Sequence, residues 1–250
     1  MSSEFQDKSV LIVGGSGPIG LAIGRYFASF GAVINLVDES ESSVNKAVDI
    51  IVSEGGSCIG QCCHMTNEAE VVAVIKQLVN TSGSPFLAVN CPNFVRLSHF
   101  TETTVEQWDS VIENNLKVTF LATKTVLPHI LGTGGSIVNI TGVPGVTGVA
   151  YSSAFAAASA GIIQLTKSLA IELQDRGVRI NAVALSGADE EMLAHIGFPA
   201  GAAARHLEKI VSPLGVPSPD EVAALVAYLG GAKARCITGT VVALDGGLSA

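Results

Sequence analysis

Ser136-Ile-Val-Asn-Ile-Thr-Gly-Val-Pro-Gly-Val-Thr-Gly-Val-Ala-Tyr151-Ser-Ser-Ala-Phe155, with the run that continues to Leu173, decides how the rest of the chain is read. Ser136 to Ile140 is a short apolar run with β-branched residues, the pattern of a buried strand. A loop rich in Gly and Pro follows, and then a long helix opened by small residues. No charge lies between Asn139 and Lys167. The length is near that of a membrane span, but Pro144 and the loop glycines break the apolar run, so no membrane segment is expected. Small residues on a helix let a second backbone approach closely, which points instead to helix packing between subunits.

Upstream, Lys8 is followed by Ser-Val-Leu-Ile-Val, by Gly14-Gly-Ser-Gly-Pro18-Ile-Gly20, and by a helical pattern over 21–30. Strand, glycine-rich turn and helix is the context in which backbone N–H groups face a pyrophosphate. Strands are also expected at 33–37, 58–63 and 87–90. Thr104-Val-Glu-Gln107 resembles a capping box that opens a long amphipathic helix through Trp108, Ile112 and Leu116 to Ile130. Downstream, 178–185 reads as a sixth strand, Ser218-Pro-Asp-Glu221 as a helix start and 237–247 as the last strand. This alternation predicts one α/β domain over 1–250, a doubly wound Rossmann-type sheet of about seven parallel strands. Residues 187–216 are expected as its long loop region.

Hydrophobic residues make up 48% of the 250 and charged residues 14%, as suits a parallel sheet covered on both faces. A net charge of −8 argues against nucleic-acid or anionic-membrane partners. Five cysteines without a Cys-x-x-Cys pair, and no apolar leader at the N-terminus, fit a reduced cytoplasmic protein. No metal-ligand spacing is present; His64 lacks companion ligands.

The central stretch is similar to the catalytic segment of the short-chain dehydrogenase/reductase family, and the resemblance runs over nearly the whole chain. That resemblance places the family's catalytic Ser on Gly142, its Tyr on Phe155 and its Lys on Ser159, and its helix Asn on Asn115. Tyr151 falls one helical turn early, and no Lys or Arg stands one turn beyond it. In the cofactor turn Gly14 and Gly20 match the outer glycines of the family pattern, while Val13 and Pro18 depart from it. Asp38 stands where an acid holds the adenosine ribose in NAD-binding members, or else it caps the helix over 41–54. Asn90 matches the fourth-strand motif; Pro92 and His64 depart. About Glu190 an acid replaces the family's carboxamide-binding Thr. By the same resemblance, 187–216 is the substrate loop.

A hydride moved at a carbonyl carbon needs a proton moved at its oxygen. Phe155, Ser159 and Gly142 supply neither the proton, the cation nor the substrate hydrogen bond. The expectation is therefore a catalytically inactive subunit, with Gly14, Gly20, Asp38 and Asn90 as remnants of a cofactor site. NAD would be bound by a homologous active subunit, in a heterotetramer built through the two long helices and the last strand. The resemblance implies a hydroxyacyl or acyl-CoA dehydrogenase complex. The alternatives are an atypical NAD-dependent oxidoreductase using Tyr151, Thr141, Ser152 or Ser153, and a stand-alone ligand-binding pseudoenzyme. Arg205, His206 and Lys209 read as a solvated loop face, or as contacts for an anionic ligand such as an acyl-CoA.

Overall fold

The computed structural model describes residues 4–186, 197–207, 212 and 214–250. Its frame is a seven-stranded sheet of β1 (Ser9–Val13), β2 (Val33–Asp38), β3 (Ser57–Cys62), β4 (Leu87–Asn90), β5 (Ser136–Gly142), β6 (Arg179–Leu185) and β7 (Val241–Leu244). All neighbours pair in parallel, in the order β3-β2-β1-β4-β5-β6-β7. The chain winds outward from β1 to β3, then returns to the other side of β1 at β4. Where winding reverses, the connections leave in opposite directions and open a crevice at the carboxyl ends of the strands.

The helices are α1 (Pro18–Ala28), α2 (Glu41–Ser53), α3 (Glu68–Ser82), α4 (Val105–Ile112), α5 (Val118–Ile130), α6 (Ser153–Glu172), α7 (Ala204–Leu207) and α8 (Pro219–Gly230). Side chains alternate across a strand, so β1 serves two cores at once. Val10 and Ile12 pack with Ile23, Phe27, Ile51 and Val226 on the face of α1, α2 and α8. Leu11 and Val13 pack with Ile75, Leu78 and Val126 on the face of α3 and α5. Each such side chain, fully buried, contributes about 1.5–3 kcal/mol.

Local signals explain most element ends. Thr104 accepts from the Gln107 N–H and Gln107 from the Thr104 N–H, and Ser218 with Glu221 forms the same box at α8. Pro18 stands at the first turn of α1, where its missing N–H costs nothing. Asp38 does not cap α2: Ser40 does, accepting from the Ser43 N–H. The long helix expected from 104 to 130 is interrupted by a π-helical turn at Glu113–Lys117. β5 runs two residues past Ile140, to Gly142, and α6 starts only at Ser153. Tyr151 therefore lies ahead of α6, in the left-handed region at φ 66.

At 20 residues α6 is long and apolar enough to cross a membrane by length and composition. In the fold it lies against β5 and β6, with Ala158, Ile162 and Ala170 buried. Ile171 on its outer side is 71% exposed.

Candidate active site

The site begins at the turn between β1 and α1. Gly14 takes φ 78, and a Cβ there would stand 2.6 Å from the Cys91 carbonyl oxygen, so only glycine lets β4 pass so close. Asp38, at the end of β2, locks the turn: its Oδ2 accepts from the Ser16 N–H at 3.0 Å and the Ser16 hydroxyl at 2.6 Å. Its Oδ1 accepts from the Glu39 N–H at 2.8 Å. Gly17, the N-cap of α1, has no side-chain cap, and a Cβ there would meet nothing within 4 Å. Gly20 packs onto Gly14 and Gly15. Cys91 is buried here, and burial chiefly, with Asp38 nearby, pushes its thiol well above the ordinary range. It is an inert packing group.

At the centre of the sheet, Asn90 donates to Thr123 Oγ1 at 3.0 Å and to Asn139 Oδ1 at 2.8 Å. Its own Oδ1, with the hydroxyls of Ser159 and Ser186, is buried without a partner among the described residues. Each such orphaned oxygen is costly. Asn115 sits in the π-helical turn. It donates to the carbonyls of Phe94 and Val111, both at 2.8 Å, and accepts from the Phe94 N–H at 3.1 Å. It pins the loop after β4.

Of the three positions that the family resemblance singles out, Gly142 and Ser159 are packed shut. A Cβ on Gly142 would stand 2.5 Å from Phe155 Cε1, so the ring occupies the space of any side chain there. A Cβ on Gly145 would stand 2.6 Å from the Ser159 carbonyl carbon, so the turn after β5 closes over α6 at Ser159. No ammonium, serine hydroxyl or phenol of the usual kind is brought together here.

A phenol is nevertheless held among the loops that follow β4, β5 and β6, by Tyr151. Its hydroxyl accepts from the Ala203 N–H at 2.9 Å and lies 3.2 Å from His206 Nδ1. Its carbonyl accepts from the Ser98 N–H at 2.8 Å. The His99 ring stands edge-on to it at 5.2 Å, and His99 Nε2 lies 2.9 Å from the Ala200 carbonyl oxygen. His206, expected as a solvated loop residue, instead turns inward to Tyr151. Sequence reading missed His99 and Ala203 altogether, because no local spacing joins 99, 151 and 203. Glu190 and Lys209 lie outside the described residues, as does much of the 187–216 region.

Glycine turn, carboxylate at the end of β2 and winding reversal at β1 define a Rossmann-type fold, of the class that carries dinucleotide sites. A model of the enoyl-(acyl carrier protein) reductase family matches residues 15–249, and the chain belongs to the short-chain dehydrogenase/reductase family. It is similar to the 3-oxoacyl-[acyl-carrier-protein] reductase FabG of Thermotoga maritima, 32% identical over 247 residues, covering 98% of this chain and 99% of that one. It is likewise similar to the cyclohexanol dehydrogenase of Acinetobacter sp. (strain SE19), 31% identical over 253 residues, covering 98% and 96%. Among solved structures, a dehydrogenase/reductase from Sinorhizobium meliloti 1021 superposes with a TM-score of 0.88 at 27% identity, covering 100% and 99%. An actinorhodin polyketide ketoreductase variant with NADPH gives 0.88 at 26%, again covering 100% and 99%.

These relatives, matched from end to end, are named as dehydrogenases and reductases, and that overturns the expectation of a catalytically inactive subunit. The expectation rested on Gly142, Phe155 and Ser159 and set the alternative, an atypical oxidoreductase using Tyr151, below it; the relatives fit that alternative better. Members of the family bind NAD(P), and the residues present fit its adenosine and diphosphate half. The turn is open at Gly17. Asp38 carries about four acceptor sites against three donors in place, leaving one for a ribose hydroxyl.

Proposed function

We propose that this chain is an NAD-dependent oxidoreductase that interconverts a secondary alcohol and a ketone, with Tyr151 as its proton-transfer group. The observation that carries it is the Tyr151 hydroxyl, held among the loops at the carboxyl ends of the strands by the Ala203 N–H and His206. NAD, when bound, supplies hydride acceptance from the carbinol carbon. Asp38 would hold the adenosine ribose and repel a 2′-phosphate, which favours NAD over NADP. The uncapped turn at Gly17 would face the diphosphate. Tyr151 takes the alcohol proton on its oxygen or returns it to the ketone. The Ala203 N–H points at that oxygen, where charge develops.

The names of the reductase relatives, together with Arg205 and His206 at the loop, favour a 3-oxoacyl thioester as the ketone. Assembly is proposed with a second subunit of this fold, through the outer face of α4 to α6 and the β7 edge. Val105, Phe120 and Ile171 are exposed on those helices. Such an assembly would be similar to the 2-[hydroxy(phenyl)methyl]succinyl-CoA dehydrogenase of anaerobic toluene breakdown, which pairs an active subunit with a degenerate one.

The test is NADH oxidation with acetoacetyl-CoA and with cyclohexanone. Tyr151→Phe is expected to lower kcat by about a hundredfold or more, the ordinary worth of a general acid. Unchanged turnover in that variant removes the proposal.

A further inference from the structure

We infer that His206 is a positioning residue for Tyr151, held by Arg205 in the tautomer that carries its proton on Nδ1. The inference rests on the Tyr151 reading above for its catalytic consequence, and on geometry alone for the tautomer. Arg205 Nε lies 3.4 Å from His206 Nε2 and donates to it. A guanidinium nitrogen carries its hydrogen at every pH a protein survives, so Nε2 must accept. The neutral ring then has its proton on Nδ1, and the Nδ1–H donates to the Tyr151 oxygen 3.2 Å away.

With the Ala203 N–H also donating at 2.9 Å, both acceptor positions of the phenol oxygen are filled by the loop. The phenol's own hydrogen has no use on either partner and is left for a third group. The opposite tautomer would do the reverse. Nε2–H would face the Arg205 Nε–H donor to donor, and Nδ1 would draw the phenol proton to itself. Arg205 thus decides, through the imidazole, whether Tyr151 offers its proton outward.

The arrangement is contiguous and fixed from both sides. Arg205, exposed, and His206, half-buried, lie on α7, directly after Ala203. His99 holds the neighbouring Ala200 carbonyl and braces the Tyr151 ring edge-on.

The first measurement is the imidazole 15N spectrum of the labelled full-length protein at about pH 8, above the ordinary imidazole range. His206 is expected protonated on Nδ1, and Arg205→Met is expected to shift the ring toward Nε2–H. A wild-type ring already in the Nε2–H form, or one indifferent to Arg205→Met, overturns the inference. The second is turnover of acetoacetyl-CoA with NADH. His206→Asn places an amide donor where Nδ1 stands and should hold kcat within about threefold. His206→Gln places its amide where Nε2 stands and should lose about tenfold in kcat with KM little changed. Equal losses in the two variants overturn it. Unchanged turnover in Tyr151→Phe, with the Nδ1 tautomer present, overturns the proton-transfer reading and leaves the tautomer assignment standing.

Discussion

Phe155 Cε1 lies 2.5 Å from where a Gly142 Cβ would stand, so the two residues are one packing unit. Gly142→Ser is expected to destabilise by about 1–3 kcal/mol through overpacking. Adding Phe155→Ala should make the pair less costly than the sum of the two single changes, because the clash disappears. Urea unfolding of the two single variants and the double variant measures it, and strict additivity would show that the ring moves aside freely. Which residues occupy 142, 155 and 159 is plain in the sequence. That the ring lies on the glycine is not, since it depends on how α6 docks against the end of β5. Tyr151 shows the same limit: its φ of 66 and its partner His206, 55 residues on, come from tertiary packing.

Elements announced themselves where their signals are local. Both capping boxes, at Thr104 and Ser218, are written within four residues and stand in the structure. Ser218→Ala should cost about 1 kcal/mol, read by thermal unfolding. Glu221 accepts from the Ser218 N–H first and the Ser218 hydroxyl second, which holds its carboxyl below the usual carboxylate range. A carboxyl depressed in the folded state stabilises above its unfolded value and loses that contribution as pH falls through the folded one. The wild type should therefore exceed Glu221→Gln in Tm at neutral pH, and the gap should close in acid. A gap constant with pH would refute the ionic part of the cap. The π-helical turn at Glu113–Lys117 carried no such sign. It arises because Asn115 turns inward to bond the Phe94 backbone rather than continue an α-helical face.

At the scale of the molecule, the βα alternation made the doubly wound sheet readable, because parallel strands buried on both faces have an unmistakable apolar run. The inactive reading gave most weight to groups absent at three positions, which a sequence shows directly, whereas the partners of Tyr151, the Ala203 N–H and His206, come together only on folding. The proposed assembly predicts a particle larger than one chain in sedimentation. Ile171→Glu should shift it toward the single chain, and a monomeric wild type would discard the interface. The close packing at Gly142 with Phe155 and at Gly145 with Ser159 also constrains mutational history. A serine returned to position 142 would meet the Phe155 ring at once, so positions 142 and 155 have to change together.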